Sequence, residues 1–434
     1  EISTRDWSSD VCSSDLVQIV AGVLRDWAAA VGEIQLSGDP GNPSVSIQLS
    51  DVDTDDIIRR AQTQDSYGNR VKMIRKIVFQ EALGLEETGF FEHEHGFEWR
   101  GIKRKAGLLF ANVREMSMDQ LANGSDDWKL VIDFPFDRDN FTPRDDLTTL
   151  DTFRTSRGAT KTIVWVPAFF SQRTLDDLGR LAILEHILGG DRFDQYAAHL
   201  SPAGRQAARL ILENQRNTLH GQVTAAVNTA YGIETAAAAG VLDQSMELDI
   251  VDRFQSLSPG LTLRPPAMAT LAGALENLIG QALAWEYPAA PDFGTALTAA
   301  KLTTVLKKAT EAAQAADGRA AVDREDRRLL EQIANPLLIG DMPHDGTHFV
   351  IGHHWVNHFT PRRGADGGPV TVEKLRDWIN QPKKMGLTRE AENLIILVYA
   401  AQSGMSFTIQ GGPVERSEEH TSELQSRVDI SYAV

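Results

Sequence analysis

The chain has 434 residues, a formal net charge of −17 and a single cysteine. That length supplies two or three full-sized cores, and the acidic balance argues against a broadly basic nucleic-acid surface. No apolar run approaches the roughly 20 residues a membrane helix needs, so a soluble, cytoplasmic protein is the expectation.

Both ends stand apart from the rest. Residues 6–16, DWSSDVCSSDL, and 416–426, RSEEHTSELQS, can be encoded by one DNA segment read on its two strands, and that segment resembles a short-read library adapter. Residues 1–16 and 416–434 are therefore set aside as non-native, and 17–415 is expected to be an internal piece of a longer protein. Cys12 lies in the first stretch, so disulfides, thiolate metal sites and cysteine nucleophiles are excluded from 17–415. Leaving out the three basic and eight acidic residues of the ends gives 40 Lys and Arg against 52 Asp and Glu, a net charge of −12.

In chain order, Val17 to Val31 carries apolar residues at helical spacing, and the turn cluster from Gly38 to Pro43 ends it. Val45, Ile47 and Leu49 alternate as in a short strand. Acids precede Ile57, and Val71 to Leu83 is helical, with Lys72, Arg75 and Lys76 among its polar positions. Phe90 to Arg100, FFEHEHGFEWR, reads as a partly buried loop. His93 and His95 would share a face only in a strand, and no further ligand pair for a metal is evident. Arg100 to Lys105, RGIKRK, fits either a phosphate contact or a solvated strand edge. Arg114 follows the strand-like Leu108 to Val113 and stands nearer an active-site edge.

The stretch from Lys129 to Phe170 is where the chemistry is placed. Leu130, Val131 and Ile132 read as a buried parallel strand ending in Asp133, with Asp137 four residues on. An acid at the carboxyl end of such a strand sits where open α/β sheets bind ligands. Thr142, Pro143 and Asp145 supply an N-cap, a first-turn proline and a capping-box acid, predicting a helix over 143–154. Thr162 to Pro167 is a second strand of the same kind, which completes a right-handed βαβ unit.

Helices dominate the rest. Thr174 with Asp177 looks like a capping box before an apolar stripe from Leu175 to Leu188, Gly189-Gly190 ends it, and Arg192 is exposed at the break. A long helix over 202–231 follows, then helices over 267–285, 295–316 and 323–333. His354 and His358 would share a helix face as two zinc ligands do, but no third ligand is fixed by spacing; the other reading is a packed aromatic-histidine surface. Helices over 370–379 and 389–402 and a strand over 406–410 give a winged-helix-like pattern. The expected domains are an α/β core over 17–172, a helical lid or bundle over 173–233, a helical domain over 234–343 and a small α+β domain over 344–415.

The motifs KLVIDFPFDRDNFTPRDDL, TIVWVPAFFSQRTLDDLGRLAILEHILGGDRFDQYAAHLSP, RLILENQRNTL, WEYPAAPDF, IANPLLIGDM and KKMGLTREAENLIILVYAAQSG resemble the PglY-like P-loop ATPases of bacterial phage-defence systems, the phage-growth-limitation branch of BREX. The resemblance covers most of 110–412. It implies an α/β P-loop-NTPase-like core followed by helical domains, ATP and Mg2+ as cofactors, and action beside a methyltransferase, a phosphatase-like protein and a kinase. It leaves DNA contact and homo-oligomerisation open.

On that resemblance Asp133 is the acid ending the Walker B strand and positions Mg2+, and Asp137 polarises the attacking water. Ser171 and Gln172 take the place of a γ-phosphate sensor, Arg114 lines the nucleotide edge, and Arg192 reaches a neighbouring subunit's nucleotide. Two departures matter. The phosphate-cradling GxxxxGK[ST] signature is nowhere in the chain, Lys161-Thr162 lacking its glycines, and Phe134 stands where the usual second acid would follow Asp133. Two functions therefore stand: part of an ATPase component of an anti-phage system, coupling ATP binding or hydrolysis to DNA-modifying partners, or a non-catalytic scaffold with a degenerate NTPase core that binds DNA or proteins. A Walker A loop upstream of Val17 is expected under the first, and this chain alone is expected to be inactive.

Overall fold

The computed structural model describes residues 13–30, 34–39, 42–47, 54–86, 92–138, 141–233, 240–246, 248–344, 346–368, 370–409, 412–413 and 429–432. It divides into two compact units, the first formed by 1–94 with 107–278 and the second by 95–106 with 279–434.

In the first unit, helix α1 (Ser13–Ala30) precedes the antiparallel hairpin of β1 (Ile34–Asp39) and β2 (Asn42–Ile47). Leu49 of the alternating strand pattern lies outside the described residues. Short α2 (Asp55–Arg60) leads to α3 (Tyr67–Arg75), capped by Ser66, whose hydroxyl accepts from the Asn69 amide. Helix α3 runs without a break into a π-helical turn over Lys76–Ala82.

Strands β3 (Glu92–Trp99) and β4 (Ile102–Phe110) are joined by Arg100 and Gly101, both at positive φ. The stretch read as a loop from its aromatic and acidic composition is thus a strand. Its outward residues Glu92, Glu94, Gly96 and Glu98 alternate with buried His93, half-buried His95 and buried Phe97. After the short helix α4 (Met118–Leu121) come β5 (Trp128–Ile132), α5 (Pro143–Arg157) and β6 (Thr162–Trp165). β5 and β6 pair in parallel, Lys129 opposite Thr162 and Ile132 opposite Trp165, as the βαβ reading requires. Both are buried throughout, which is why their sequences are continuously apolar rather than alternating. The reciprocal Thr142–Asp145 capping box starts α5.

Helix α6 (Gln172–Leu188) begins three residues earlier than the Thr174–Asp177 pattern suggests. Ser171 is extended at φ −66°, ψ 161°, and its Oγ accepts from the Thr174 amide, so Thr174 lies inside the first turn. Short α7 (Arg192–Tyr196) leads to α8 (Pro202–Ala230), which opens on Ser201 as cap and Pro202 as first residue. Ala208, Ile211, Leu212, Gln215, Leu219, Val223, Ala226 and Val227 form its buried stripe, and α8 packs along α6. Strand β7 (Phe254–Ser256) pairs antiparallel with β6, giving the sheet order β3-β4-β5-β6-β7. The core beneath α5 contains Val131, Leu150, Phe153, Val164 and Val166; each aliphatic side chain fully buried there stabilises by about 1.5–3 kcal/mol.

The chain crosses into the second unit within α9 (Leu271–Glu286). There α10 (Ala299–Gln314), β8 (Arg319–Ala321), α11 (Arg324–Ile333), β9 (Gly340–Asp341), β10 (His348–Ile351) and α12 (His354–Asp366) precede β11 (Val370–Thr371), α13 (Val372–Ile379), α14 (Arg389–Gln402), β12 (Met405–Ile409) and β13 (Gly412–Pro413). β14 (Asp429–Tyr432), from the stretch set aside as non-native, pairs with β11 and β12. One interior runs from Leu302 on α10 to Phe407 on β12, with Phe349, Phe359 and Tyr399 fully buried, so 344–409 shares its core with α10 and α11. No helix among the described residues is long and apolar enough to cross a membrane.

Candidate functional site

Asp133 stands one residue beyond β5, where the ladder is still closing: its amide donates to the Trp165 carbonyl at 3.0 Å. Its carboxyl turns inward, at 1 % exposure. Oδ1 accepts from the amides of Val113 at 3.1 Å and Phe134 at 2.8 Å, while Oδ2 is buried and accepts no hydrogen bond. The Asp133 carbonyl accepts from the Tyr231 hydroxyl at 2.6 Å. Tyr231 is itself fully buried just past the end of α8, edge-on to Trp165. The side chain thus holds the first amide of the 3-10 turn over Val113–Glu115, whose cap is Asn112, and the backbone ties the end of β5 to the end of α8.

Two further acids lie in the same region. Asp137 accepts from Arg114 through Nε at 2.9 Å and Nη2 at 2.5 Å, and the guanidinium also lies 3.6 Å over the Phe141 ring. Asp146, near the start of α5, is buried, and its Oδ1 lacks a hydrogen-bond partner. Burial, reinforced by the charge of Asp137, pushes the Asp146 carboxyl up to about 7. Burial, with the charge of Asp146 next, pushes Asp133 well above the usual carboxylate range despite its two backbone donors. Arg114 is a cation beside Asp137 and Asp146, and its side-chain hydrogen bonds go to Asp137. Asp133 and Asp146 are thus acids whose ionisation burial opposes.

The remaining candidates fall elsewhere. Ser171 caps α6 and donates from Oγ to the Gly240 carbonyl at 2.5 Å. Gln172 donates to Asp176 at 2.8 Å, and Arg192 to the His186 carbonyl at 2.6 Å. Asp133, Asp137 and Arg114 are therefore gathered at one end of β5, and Ser171, Gln172 and Arg192 serve the two ends of α6. His354 and His358 stack with ring centroids 5.9 Å apart, and His358 Nε2 lies 2.8 Å from the Trp378 carbonyl. Among the described residues no group of three His, Cys, Asp or Glu side chains is arranged to hold a metal ion.

ATP with Mg2+ demands donors aimed at phosphate oxygens and an acid open to a hydrated cation. The acids here are enclosed, and each of the polar candidates is engaged by a neighbour within the chain. Asp146 and Tyr231 were not among the sequence candidates. Asp146 had a signal: it lies four residues before Leu150 and seven before Phe153, on the buried face of α5. Tyr231, 98 residues from Asp133, had none.

Two stretches of the chain match known families. Residues 57–287 match the model described as PglY fourth domain. Residues 300–400 match the model described as BREX System ATPase PglY protein 5th domain. No solved structure matches the chain.

Proposed function

The chain belongs to the PglY family, a component of the BREX phage-defence system, and from that membership we propose that its α/β unit is a non-hydrolytic part of the ATPase. In this reading ATP is bound and hydrolysed by other domains of the protein, and the unit passes the nucleotide state to partner proteins of the same system that act on DNA. The ordinals in the two descriptions, fourth and fifth, support it, since they imply further domains in a family member. The methyltransferase, phosphatase-like protein and kinase expected from the resemblance are the proposed partners.

The observation that carries this reading is the enclosure of Asp133. An acid 1 % exposed, with one oxygen accepting from the Val113 amide and from the amide of its own neighbour Phe134, is built to fix the end of β5 against Val113. With the Tyr231 bond it makes a rigid joint between sheet and helical layer, suited to transmitting a displacement. A second reading keeps Asp133 as the Mg2+-positioning acid and Asp137 as the group that orients water. Its support is the place of Asp133 at the carboxyl end of a parallel strand and the bare Oδ2.

The two readings separate in the full-length family protein, since this chain by itself is expected to be inactive under both. There an Asp133→Asn variant that keeps its melting temperature is expected to keep ATP turnover. A loss of about a hundredfold at unchanged melting temperature would overturn the non-hydrolytic reading in favour of the second.

A further inference from the structure

A cavity of about 410 Å3 lies within the first unit, far in character from the acid cluster. One wall is the face of α3 and the π-helical turn that carries Lys72, Arg75, Lys76 and Phe79. Their spacing of three and four residues puts them on one side of a helical path. Ala182 and His186, four apart on α6, form a second wall, and His93 of β3 a third. The volume is that of a small-molecule site, which spans about 300–1,000 Å3.

The lining is cationic in a chain of net charge −17. Among the described residues the lining sets Lys72, Arg75 and Lys76 beside one carboxylate, Glu86; Lys76 also lies 3.6 Å from Glu185 and 4.0 Å from Glu81. Arg192 adds charge behind His186. His93 is pushed below its ordinary value by burial and the charge of Arg75, and His186 by burial and the charge of Arg192. An Arg75 amino group 3.1 Å from His93 Nε2 makes that nitrogen the acceptor of a neutral ring. The wall itself departs from regular helix: the π turn buries three consecutive residues, Ile77, Val78 and Phe79, and π-helical turns occur frequently at functional sites.

We propose that this cavity binds a phosphomonoester, carried by a small molecule or by the 5′ end of DNA, with Lys72, Arg75 and Lys76 as its charge partners. A dianion there relieves the mutual repulsion of the cations and adds charge-assisted hydrogen bonds from the guanidinium and ammonium groups. By linkage its arrival also favours protonation of the nearby imidazoles.

Isothermal titration at low salt, with inorganic phosphate, AMP and a short oligonucleotide bearing either a 5′-phosphate or a 5′-hydroxyl, tests the proposal. Saturable binding is expected for AMP or for the phosphorylated oligonucleotide, and which of them binds identifies the carrier. Lys72 is exposed, so Lys72→Glu is expected to keep the fold and weaken binding at least tenfold, whereas Lys383→Glu, exposed in the second unit, leaves it unchanged. Imidazole proton resonances should show the His93 and His186 pKa values rising on binding. No saturable binding to either phosphomonoester, equal affinity for the 5′-hydroxyl oligonucleotide, or unchanged affinity in a folded Lys72→Glu chain overturns it.

Discussion

Replacing Asp146 by asparagine should make the first unit more stable at pH 8 and leave it nearly unchanged at pH 4. In the folded chain the Asp146 carboxyl ionises near 7 against an ordinary 3.8, so between those values the folded state holds a proton that the unfolded state has lost. A raised pKa of this kind stabilises fully below the unfolded value, and the contribution disappears as pH rises through the folded one. Three pH units at 1.36 kcal/mol each give about 4 kcal/mol lost between pH 4 and pH 8. Asp133 repels Asp146 and titrates with it, so the change spreads over a wide range and Asp146→Asn also eases the ionisation of Asp133. Asparagine matches the protonated acid in size and carries a donor likewise, hence near-equality at pH 4. Amide hydrogen exchange, corrected for intrinsic rates and read on peptides covering Trp128–Ile132 and Thr162–Trp165, isolates this unit from the other. We expect a gain on the order of 2–4 kcal/mol for Asp146→Asn at pH 8. A wild-type pH slope retained in the variant, or a variant less stable at pH 8, would refute the idea that Asp146 is a buried acid strained by its charge.

The parts of this fold readable in advance are those where several local signals agree. Around α5 the two apolar runs, the Thr142 cap, Pro143 and Asp145 all specify the same strand-helix-strand unit, and it forms in parallel register. Helix α14 spans the 389–402 that its sequence predicts, with the apolar run from Leu394 to Tyr399 buried but for Leu397. Strand β3 was missed although its period of two is present, because the inward residues include histidines, which count as polar in a hydrophobic pattern. The cap of α6 was misplaced because Thr174–Asp177 imitates the signature that Ser171 fulfils. At the site, the grouping of Asp133 and Asp137 near Arg114 followed from strand ends. The fate of their charges did not, since it depends on contacts remote in sequence, Val113 and Tyr231 with Asp133 and Arg114 with Asp137. The cationic cavity escaped for the same reason. Lys72, Arg75 and Lys76 are only polar positions of a helical pattern until α6 and β3 are laid against them.

Two further substitutions probe the same region from opposite sides. The Thr142 amide and hydroxyl hold the Asp145 carboxyl below its ordinary 3.8, so its stabilisation is present above that value and lost as pH falls through the folded pKa. Asp145→Ala should cost about 1 kcal/mol at pH 7 and progressively less as pH falls below 3.8, the reverse of the Asp146 trend, in the same exchange measurement. Arg114→Met should be far more costly. Asp137 has a side chain 1 % exposed, held by two hydrogen bonds from Arg114, and removing the guanidinium leaves a buried carboxylate without its cation. Losses of that kind run at about 3–5 kcal/mol. If the loss comes from the stranded charge rather than from packing on Phe141, adding Asp137→Leu should restore much of it, because two apolar groups then fill the space of the ion pair. The double variant's melting temperature would then lie well above that of Arg114→Met alone. A double variant no more stable than the single one would locate the contribution of Arg114 in its contact with the Phe141 ring instead, and the ion pair would have to be regarded as incidental to the end of β5.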